Sequence, residues 1–468
     1  MVFASLEFLT LFFPLFLIAY ALSPSQWRNF TLLAFSWGFY AWWDPSFLWV
    51  LVGVTSVAYG SGLGIARART SAARRGIMAC AVASMVGLLA FYKYANIAVE
   101  MLVGPVVAAS GGNLMWERLV LPIGISFFVL QSISYMVDVY RGTVQAERDF
   151  VSFAAYKAMF SQLIAGPIVR YSHVNKELHA RPFDLLHVAD GLRYFMVGLS
   201  MKVIVADTLA PLANACYALA APSMADAWLG TFAYSLQLFF DFAGYSIMGI
   251  GLGQMLGFKF PENFDFPYVS LSIQEFWRRW HMTLGSWLRD YLYVPLGGNR
   301  VGPRRAYLNL MLIMAISGLW HGADSFNFVI WGVMHGLVMV VQRFWGRNGG
   351  PKLPSVLSWL LTMGFVISAW TIFRAENLAA AWAMYAGQWG ANGVPLSAEI
   401  ANVFRPVHVW ALLLGSFWAT WPWWQAKVNA RVVALAQPVL YFWPFVAAVM
   451  SVALMASRGA TPFLYFQF

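Results

Sequence analysis

Two histidines lie in an apolar, tryptophan-rich stretch, GLWHGADSFNFVIWGVMHG, which covers residues 318–336. His321 and His335 are two of the seven histidines in the chain. A buried imidazole stays neutral near pH 7, and a neutral imidazole can act as a general base. An ionisable side chain at membrane depth is costly unless it faces protein or water. The stretch is therefore a candidate catalytic site, and a structural hydrogen bond between helices is the alternative role for each histidine.

A second candidate stretch, SIQEFWRRWHMTLGSWLRDYLYVPLGGNR, covers residues 272–300. Ser272 and Glu275 have the spacing of a capping box, which predicts that a helix begins here. Helical spacing then places Trp277 and His281 near one face of that helix. The stretch therefore predicts one helix that presents an aromatic and a histidine side chain together.

An interfacial amphipathic helix is the alternative interpretation of this second stretch. Its tryptophans would lie in the headgroup layer and its arginines would face anionic lipid. His281 on the apolar side and Asp290 inside an aromatic run are not needed by such a helix. These two residues favour a functional site.

A carboxylate also lies within an apolar segment, at Asp241 in QLFFDFAGYSIMGIGLGQMLGF. The small residues of this segment predict close packing of helices. Asp241 is expected to pair with an arginine or to cap a broken helix. The alternatives are a position on the wall of a catalytic cavity and a proton or ion site in a transporter.

Metal and disulfide chemistry are not expected. Cys80 and Cys216 lie in or near apolar segments and do not form a CxxC pair. The histidines do not have the close spacing with cysteine or carboxylate side chains that zinc sites use.

The composition predicts the class of protein that carries these residues. Of 468 residues, 60% are hydrophobic and 11% are charged, whereas soluble domains carry roughly 25% charged residues. Apolar stretches recur along the whole chain, which predicts an all-α polytopic membrane protein. The net charge of +10 is interpreted as basic cytoplasmic loops in contact with membrane lipid, and no nucleic-acid partner is expected.

About twelve transmembrane helices are predicted from stretches near the ~20 residues that a bilayer requires. We predict a single membrane domain over 1–468, with re-entrant or interfacial elements at 150–187 and 258–305 and a catalytic core at 272–336. The predicted spans are 6–21, 28–43, 46–65, 76–94, 119–140, 188–210, 230–257, 307–320, 326–345, 355–373, 407–424 and 436–457.

The distribution of lysine and arginine predicts the orientation. With the N-terminus outside, the basic segments around 67–75, 258–305 and 343–352 all fall inside. The span that begins near Tyr307 reaches Trp320 after about 14 residues, or roughly 21 Å, which is less than the ~30 Å hydrocarbon core. His321 is therefore expected inside the membrane, where Gly322 and Asp324 bend the chain.

Several motifs resemble one family of membrane enzymes. The chain resembles the membrane-bound O-acyltransferases, in particular the bacterial branch that contains alginate O-acetylases. Ser161 departs from this pattern, since proline is expected there. The motifs are PIGISFFVLQSISYMVDVYRG, QLIAGPIVRY, FDFAGYSIMGIG, FWRRWHMTLGSWLRDYLYVPLGGNR, GLWHGA and FVIWGVMHG.

The resemblance implies an O-acyltransferase of the bacterial inner membrane, with its N-terminus in the periplasm. His321 matches the catalytic histidine of the family, and His281 matches a second histidine near the active site. The helices are expected to surround a central funnel or tunnel. The implied donor is a cytoplasmic acyl thioester such as acetyl-CoA, with no tightly bound cofactor. The implied partners are a periplasmic SGNH-like acetyltransferase and a polysaccharide acceptor, cellulose or alginate.

A set of residues is predicted to bind the substrates around these two histidines. Arginines would hold a phosphate-bearing carrier, and Trp277, His281 and Asp290 would orient the thioester or stabilise the oxyanion. The predicted binding residues are Trp277, Arg278, Arg279, Trp280, Arg289, Asp290, Tyr291, Asn299, Trp320, Asp241, Trp331 and His335.

Other functions remain open from the sequence. A peptidoglycan O-acetylation component would have the same general shape. A transporter or flippase for an acyl or glycan substrate would use Asp241 and the histidines as a proton relay. A scaffold subunit without chemistry of its own is the third alternative.

Overall fold

The fold is helical throughout the part of the chain that the structure describes. The computed structural model describes residues 1–113, 115–181, 183–322, 326–428, 430–459, 461 and 463–464. These residues form helices and connecting loops and contain no strand. The predicted all-α class is confirmed, and Asp324, which was expected to bend the chain, lies outside the described residues.

The first eleven α-helices extend from the N-terminal segment to residue 217. They are α1 Phe13–Leu22, α2 Arg28–Ala41, α3 Pro45–Arg67, α4 Ser71–Leu102, α5 Gly104–Ala109, α6 Ile125–Arg141, α7 Phe150–Ala158, α8 Phe160–Leu163, α9 Tyr171–His179, α10 Leu185–Ser200 and α11 Asp207–Tyr217.

The remaining α-helices include the region of the predicted site. They are α12 Met224–Met255, α13 Ile273–Arg279, α14 Met282–Leu288, α15 Pro303–His321, α16 Asn327–Arg347, α17 Ser355–Arg374, α18 Leu378–Gln388, α19 Ala398–Val403, α20 Pro406–Ala419, α21 Trp421–Gln425 and α22 Ala430–Arg458. Turns of π-helix occur at Phe8–Phe12, Met201–Ala206 and Arg289–Tyr293, and 3₁₀ turns at Ser25–Trp27 and Pro267–Val269.

Each of the twelve predicted spans coincides with a helix. Among the described residues, seven helical segments are long and apolar enough to cross a membrane. The total number of spans stays a prediction, because several of the other helices are shorter. The seven segments are Pro45–Arg67, Ser71–Ala109, Leu185–Ala218, Met224–Met255, Asn327–Arg347, Ser355–Arg374 and Tyr441–Arg458.

The chain divides into two compact units. The first unit contains Met1–Leu192 and Gly249–Pro261, and the second contains Arg193–Met248 and Glu262–Phe468. The single membrane domain stays a prediction. All of the predicted site residues belong to the second unit.

The segment 150–187 lies within the first unit. Its first helix, α7, has nine residues, and the side chain of Lys157 in it is fully buried. The Lys157 amine donates to the carbonyl oxygen of Phe128 and lies 3.5 Å from Oε1 of Gln131. Burial inside protein is the environment that a re-entrant segment requires. The re-entrant placement itself stays a prediction.

Close packing of α10 and α12 shapes the second unit. A Cβ atom on Gly244 would lie 2.7 Å from the carbonyl oxygen of Gly198. Only glycine permits this approach, so the predicted packing role of the small residues is confirmed. Asp241, one turn before Gly244, is thereby held in the interior of the unit.

Candidate active site

The predicted helix from Ser272 is broken in the middle. The start is correct, because Ser272 Oγ accepts from the backbone N–H of Glu275 at 3.1 Å. The Glu275 carboxylate accepts from Leu271, one residue before the expected position. Helix α13 ends at Arg279, the next residue Trp280 is extended, and His281 adopts a left-handed conformation with φ of +45°. The prediction of one continuous helix was wrong, and the break falls at His281.

Asn263 holds the chain at this break. Its Oδ1 accepts from Thr283 Oγ1 at 2.8 Å, and its carbonyl oxygen accepts from the backbone N–H of Met282 at 2.9 Å. Its Nδ2 donates to Ser246 Oγ at 3.0 Å. The backbone N–H of Thr283 donates to Oδ1 at 3.3 Å, and because this group can only donate, it fixes the orientation of the amide. These bonds replace the helical hydrogen bonds that the break removes. They explain how a non-glycine residue is kept in a left-handed conformation at His281.

The same amide sets the tautomer of His281. The Nδ1 atom lies 3.1 Å from Asn263 Oδ1, an acceptor, so Nδ1 carries the proton. The Nε2 atom therefore presents a lone pair, and it is buried without a partner among the described residues. His281 lies outside the seven candidate spans, and burial lowers its pKa to about 3. The imidazole is neutral at physiological pH.

His321 and His335 are placed by the contact of α15 with α16. A Cβ atom on Gly332 would lie 2.2 Å from the carbonyl oxygen of Met314, so the two helices touch through their backbones. His321 is the last residue of α15 and is buried. Its ring packs against Trp331 at 5.4 Å and Phe373 at 5.3 Å between centroids.

Trp331 separates the two histidines of the opening stretch. It packs against His321 on one side and against His335, at 4.9 Å, on the other. His335 is fully buried, and its Nδ1 accepts from Trp277 Nε1 at 3.2 Å. This bond is the structural hydrogen bond that was the alternative role for His335. It also anchors α13 to α16.

A cavity of about 650 Å³ lies beside His281, and we call it the His281 cavity. Its wall combines one histidine, one tryptophan, two serines and apolar side chains with three arginines. It is lined by Gln274, Trp277, Arg278, His281, Met282, Leu284, Gly285, Ser286, Leu288, Arg289, Tyr293, Asn299, Leu310, Ile313, Met314, Ser317, Met339 and Arg343.

The arginines of the region differ in their partners. Arg278 lines the cavity and forms no ion pair within the described residues. Arg289 also lines it and pairs with Asp290 at 2.8 Å. Arg279 does not line it, because Asp265 at 2.7 Å and Glu275 at 3.0 Å hold its guanidinium. Arg279 is therefore absent from the cavity wall, and its predicted contact with the substrate stays a prediction.

Several residues of the wall were missed from the sequence, among them a cation and a buried hydroxyl group. Arg343 lies eight positions after His335 on α16, and Asn299 accepts from its guanidinium at 2.7 Å. Ser317 lies one turn before His321 on α15, and its buried Oγ has no partner among the described residues. Helical spacing from each histidine was the signal that could have identified both.

The remaining predicted residues have mixed positions. Asn299 lines the cavity, whereas Trp280 packs in the core against Trp370 at 4.9 Å. Tyr291 packs against Trp287 at 5.2 Å, and Trp320 contacts the His281 ring at 6.2 Å. These three aromatic residues, like Trp331, are absent from the cavity wall and pack around the site.

Asp290, which lies inside an aromatic run in the sequence, is only partly buried in the structure. Its side chain is 30% exposed and is paired with its neighbour Arg289. Its neighbour Tyr291, in the same π-helical turn Arg289–Tyr293, is buried against Trp287.

Asp241 belongs to a separate group, which we call the ion cluster: Lys202, Asp207 and Asp241. The Lys202 amine lies 2.6 Å from Asp207 and 2.8 Å from Asp241, and all three side chains are nearly or fully buried. The Asp241 carboxylate also accepts from the backbone N–H of Leu464 at 2.8 Å. Asp241 does not line the His281 cavity, and its partner is a lysine, so the predicted arginine pair was wrong.

Comparison with known proteins identifies similar sequences. The family model described as MBOAT, membrane-bound O-acyltransferase family, matches residues 145–382. This match contains the whole His281 cavity together with His321 and His335.

Named relatives extend the similarity to the full chain. A probable alginate O-acetylase AlgI of Pseudomonas aeruginosa is 47% identical over 82% of this chain and 74% of its own length. A probable alginate O-acetylase AlgI of Azotobacter vinelandii is 42% identical over 100% of both chains. A peptidoglycan O-acetyltransferase of Helicobacter pylori is 37% identical over 81% of this chain and 76% of its own length.

Proposed function

The chain belongs to the membrane-bound O-acyltransferase family, and on that premise we propose that it passes acetyl groups from a cytoplasmic thioester to the outer side of the membrane. It is a multi-pass membrane O-acyltransferase that serves O-acetylation of an exopolysaccharide. The observation that carries the proposed donor site is the His281 cavity, in which three arginines share one wall with His281 and Ser317.

The donor in this proposal is acetyl-CoA. Its phosphates would bind to Arg278, Arg289 and Arg343, because guanidinium groups bind phosphate through two parallel hydrogen bonds. Arg278 has no competing carboxylate within the described residues, and Arg343 is already oriented by Asn299. In the predicted topology these arginines lie on the cytoplasmic side, where acetyl-CoA is present.

His321 is the proposed general base. The acceptor hydroxyl oxygen attacks the thioester carbonyl carbon while His321 takes the hydroxyl proton. The tetrahedral oxyanion collapses, the carbon–sulfur bond breaks, and the thiolate takes the proton back from the imidazolium. Ester and free thiol are the products, so no further reactant is required.

Of the two roles expected for His281, the proposal keeps the orientation of the thioester and drops the stabilisation of the oxyanion. A neutral imidazole whose Nδ1–H donates to Asn263 has no proton at Nε2, so it cannot donate to an oxyanion. We assign Nε2 to accept from an amide N–H of the pantetheine arm, which would orient the thioester. Ser317 Oγ, a buried donor in the same wall, is assigned to the oxyanion instead.

The acceptor in this proposal is an alginate-like polymer. Two of the relatives named for alginate are 47% and 42% identical to this chain, against 37% for a relative named for peptidoglycan. Peptidoglycan is therefore the second candidate, and cellulose stays a prediction. A periplasmic SGNH-like acetyltransferase is the proposed partner, and the inner membrane with a periplasmic N-terminus is the proposed location.

The test uses purified protein in nanodiscs with radiolabelled acetyl-CoA, the polysaccharide and the periplasmic partner. We expect release of CoA and transfer of label in the wild type, and loss of both in His321→Ala. His187→Ala is the matched control, because His187 is partly exposed and pairs with Asp184. It should retain full turnover.

Two results would contradict the proposal. Full turnover in His321→Ala would remove the assigned base. Movement of an intact glycan or acyl lipid across the membrane without thioester cleavage would support the transporter instead.

A further inference from the structure

A second cavity lies apart from the His281 cavity within the second unit, and we call it the Arg374 pocket. Its volume of about 710 Å³ is within the roughly 300–1,000 Å³ of small-molecule sites. It lies where α11 and α17 end and α18 begins. Its polar lining side chains are Asn214, Tyr217, Arg374, Glu376 and Asn377.

The guanidinium of Arg374 is held in place before any ligand binds. Asn214 Oδ1 accepts from it at 2.8 Å, and it lies over the rings of Tyr217 at 5.5 Å and Tyr234 at 5.9 Å. A fixed planar guanidinium loses little side-chain entropy when it binds a ligand.

Arg374 lacks the partner that other arginines of the chain have. Arg118 and Arg279 each pair with a carboxylate within 3.0 Å. Arg374 pairs with no carboxylate in the described part of the chain, and it is only half buried. Its remaining N–H groups match the two oxygens of a carboxylate ligand.

The pocket is tied to the surroundings of His321. Phe373, next to Arg374, packs against the His321 ring at 5.3 Å. On the other side, the carbonyl oxygen of Ala375 accepts from Asn327 Nδ2 at 2.7 Å, at the start of α16. In the proposed orientation, the pocket and the end of α15 that carries His321 both face the periplasm.

We infer that the Arg374 pocket binds a uronate unit of an acidic polysaccharide. This inference rests on the proposed function, in which an exopolysaccharide accepts the acetyl group. Arg374 pairs with the sugar carboxylate, and the amides of Asn214 and Asn377 bind ring hydroxyls. Glu376 is exposed and accepts from a hydroxyl, and its charge repels the carboxylate of the next unit.

The test measures binding to purified protein in nanodiscs of zwitterionic lipid. The probes are a short oligouronate, the same oligosaccharide with its carboxylates reduced to hydroxymethyl groups, and a polyglutamate peptide of equal charge. We expect the wild type to bind the oligouronate at least about tenfold more tightly than either of the other probes, as for a hydrogen-bonded charge.

Three variants assign that preference to the pocket. Arg374→Gln should remove it, and Arg374→Lys should retain only part of it, because lysine lacks the planar fork. Glu376→Gln should tighten oligouronate binding by removing a repulsive charge. Arg405→Gln is the matched control, because Arg405 is an exposed arginine in the same predicted periplasmic segment and is absent from the pocket wall.

Several outcomes would overturn the inference. They are equal binding of the oligouronate and the reduced oligosaccharide, equal binding of polyglutamate, no binding of any probe, or equal losses in Arg374→Gln and Arg405→Gln. Binding is measured without acetyl-CoA, so it is separate from turnover. Selective binding without thioester cleavage would contradict the proposed function alone, and cleavage without selectivity would contradict this inference alone.

Discussion

Two groups of buried polar side chains in the second unit differ in whether their atoms have protein partners. In the ion cluster, Lys202 lies within 2.8 Å of two carboxylates, and Asp241 also accepts from the backbone of Leu464. In the His281 cavity, His281 Nε2 and Ser317 Oγ have no partner among the described residues.

This difference indicates that the ion cluster stabilises the fold and that the His281 cavity binds substrate. A buried polar group without a hydrogen bond costs about 1–3 kcal/mol, so a protein retains it mainly where a ligand completes the bond. We therefore expect substitutions in the ion cluster to change the free energy of unfolding, and substitutions in the cavity to change turnover.

The largest effect is expected at Asp241. Asp241→Ala leaves Lys202 with one carboxylate and removes the acceptor of Leu464 N–H, which should cost about 3–5 kcal/mol. Thermal unfolding in detergent measures it. Asp265→Ala is the control, because its ion pair with Arg279 is 57% exposed on the aspartate side. That change should lower the free energy of unfolding by less than about 1 kcal/mol. Equal losses in both variants would contradict the stabilising role of the ion cluster.

Ser317→Ala should produce the opposite pattern. Loss of one oxyanion donor lowers kcat by roughly 10²–10³-fold, while thermal stability stays level or rises because an unpartnered hydroxyl is removed. Ser246→Ala is the matched control, since its hydroxyl accepts from Asn263 and its loss should lower stability. If Ser317→Ala has a normal kcat and a lowered thermal stability, the role of Ser317 is structural, like that of the ion cluster.

His281→Gln is expected to act on donor binding. If Nε2 orients the pantetheine arm, KM for acetyl-CoA should rise about tenfold, as for one lost hydrogen bond. Steady-state kinetics at fixed acceptor concentration separates KM from kcat. If kcat of His281→Gln instead falls as far as kcat of His321→Ala while KM stays unchanged, His281 would be the base.

The smallest effect is a dependence of stability on pH. His281 has a folded-state pKa of about 3 against 6.5 for an unperturbed histidine, so below pH 6.5 the unfolded chain binds more protons. Stability should therefore fall as pH decreases from 6.5 toward 3, by up to about 1.4 kcal/mol per pH unit. Unfolding at pH 6.5 and 5.5 should show a smaller decrease in His281→Gln, and identical decreases would contradict the buried neutral state.

The sequence predicted the helices well and the contacts between distant segments poorly. Apolar periodicity depends on neighbouring residues, so all twelve predicted spans coincide with helices. The cap at Ser272 was local and was predicted, whereas the break at His281 depends on Asn263, 18 residues earlier.

The site was predicted by residue type more reliably than by position. Arg278 and Arg279 are adjacent in sequence, and only their tertiary partners show that Arg278 lines the cavity while Asp265 and Glu275 hold Arg279. Arg343 is part of the wall through the packing of α16, and its helical spacing from His335 was the sequence signal that could have identified it. Asp241 was recognised as unusual, but its partner Lys202 lies on a different helix.

The bond between Asp241 and Leu464 has a consequence for synthesis of the protein. Leu464 follows Asp241 by 223 residues, which a ribosome adds in roughly 10–45 s at ordinary elongation rates. During that interval the Asp241 carboxylate lacks the N–H donor that Leu464 later supplies. Until Leu464 is added, the ion pair with Lys202, which precedes Asp241 in the chain, is the contact that neutralises this carboxylate.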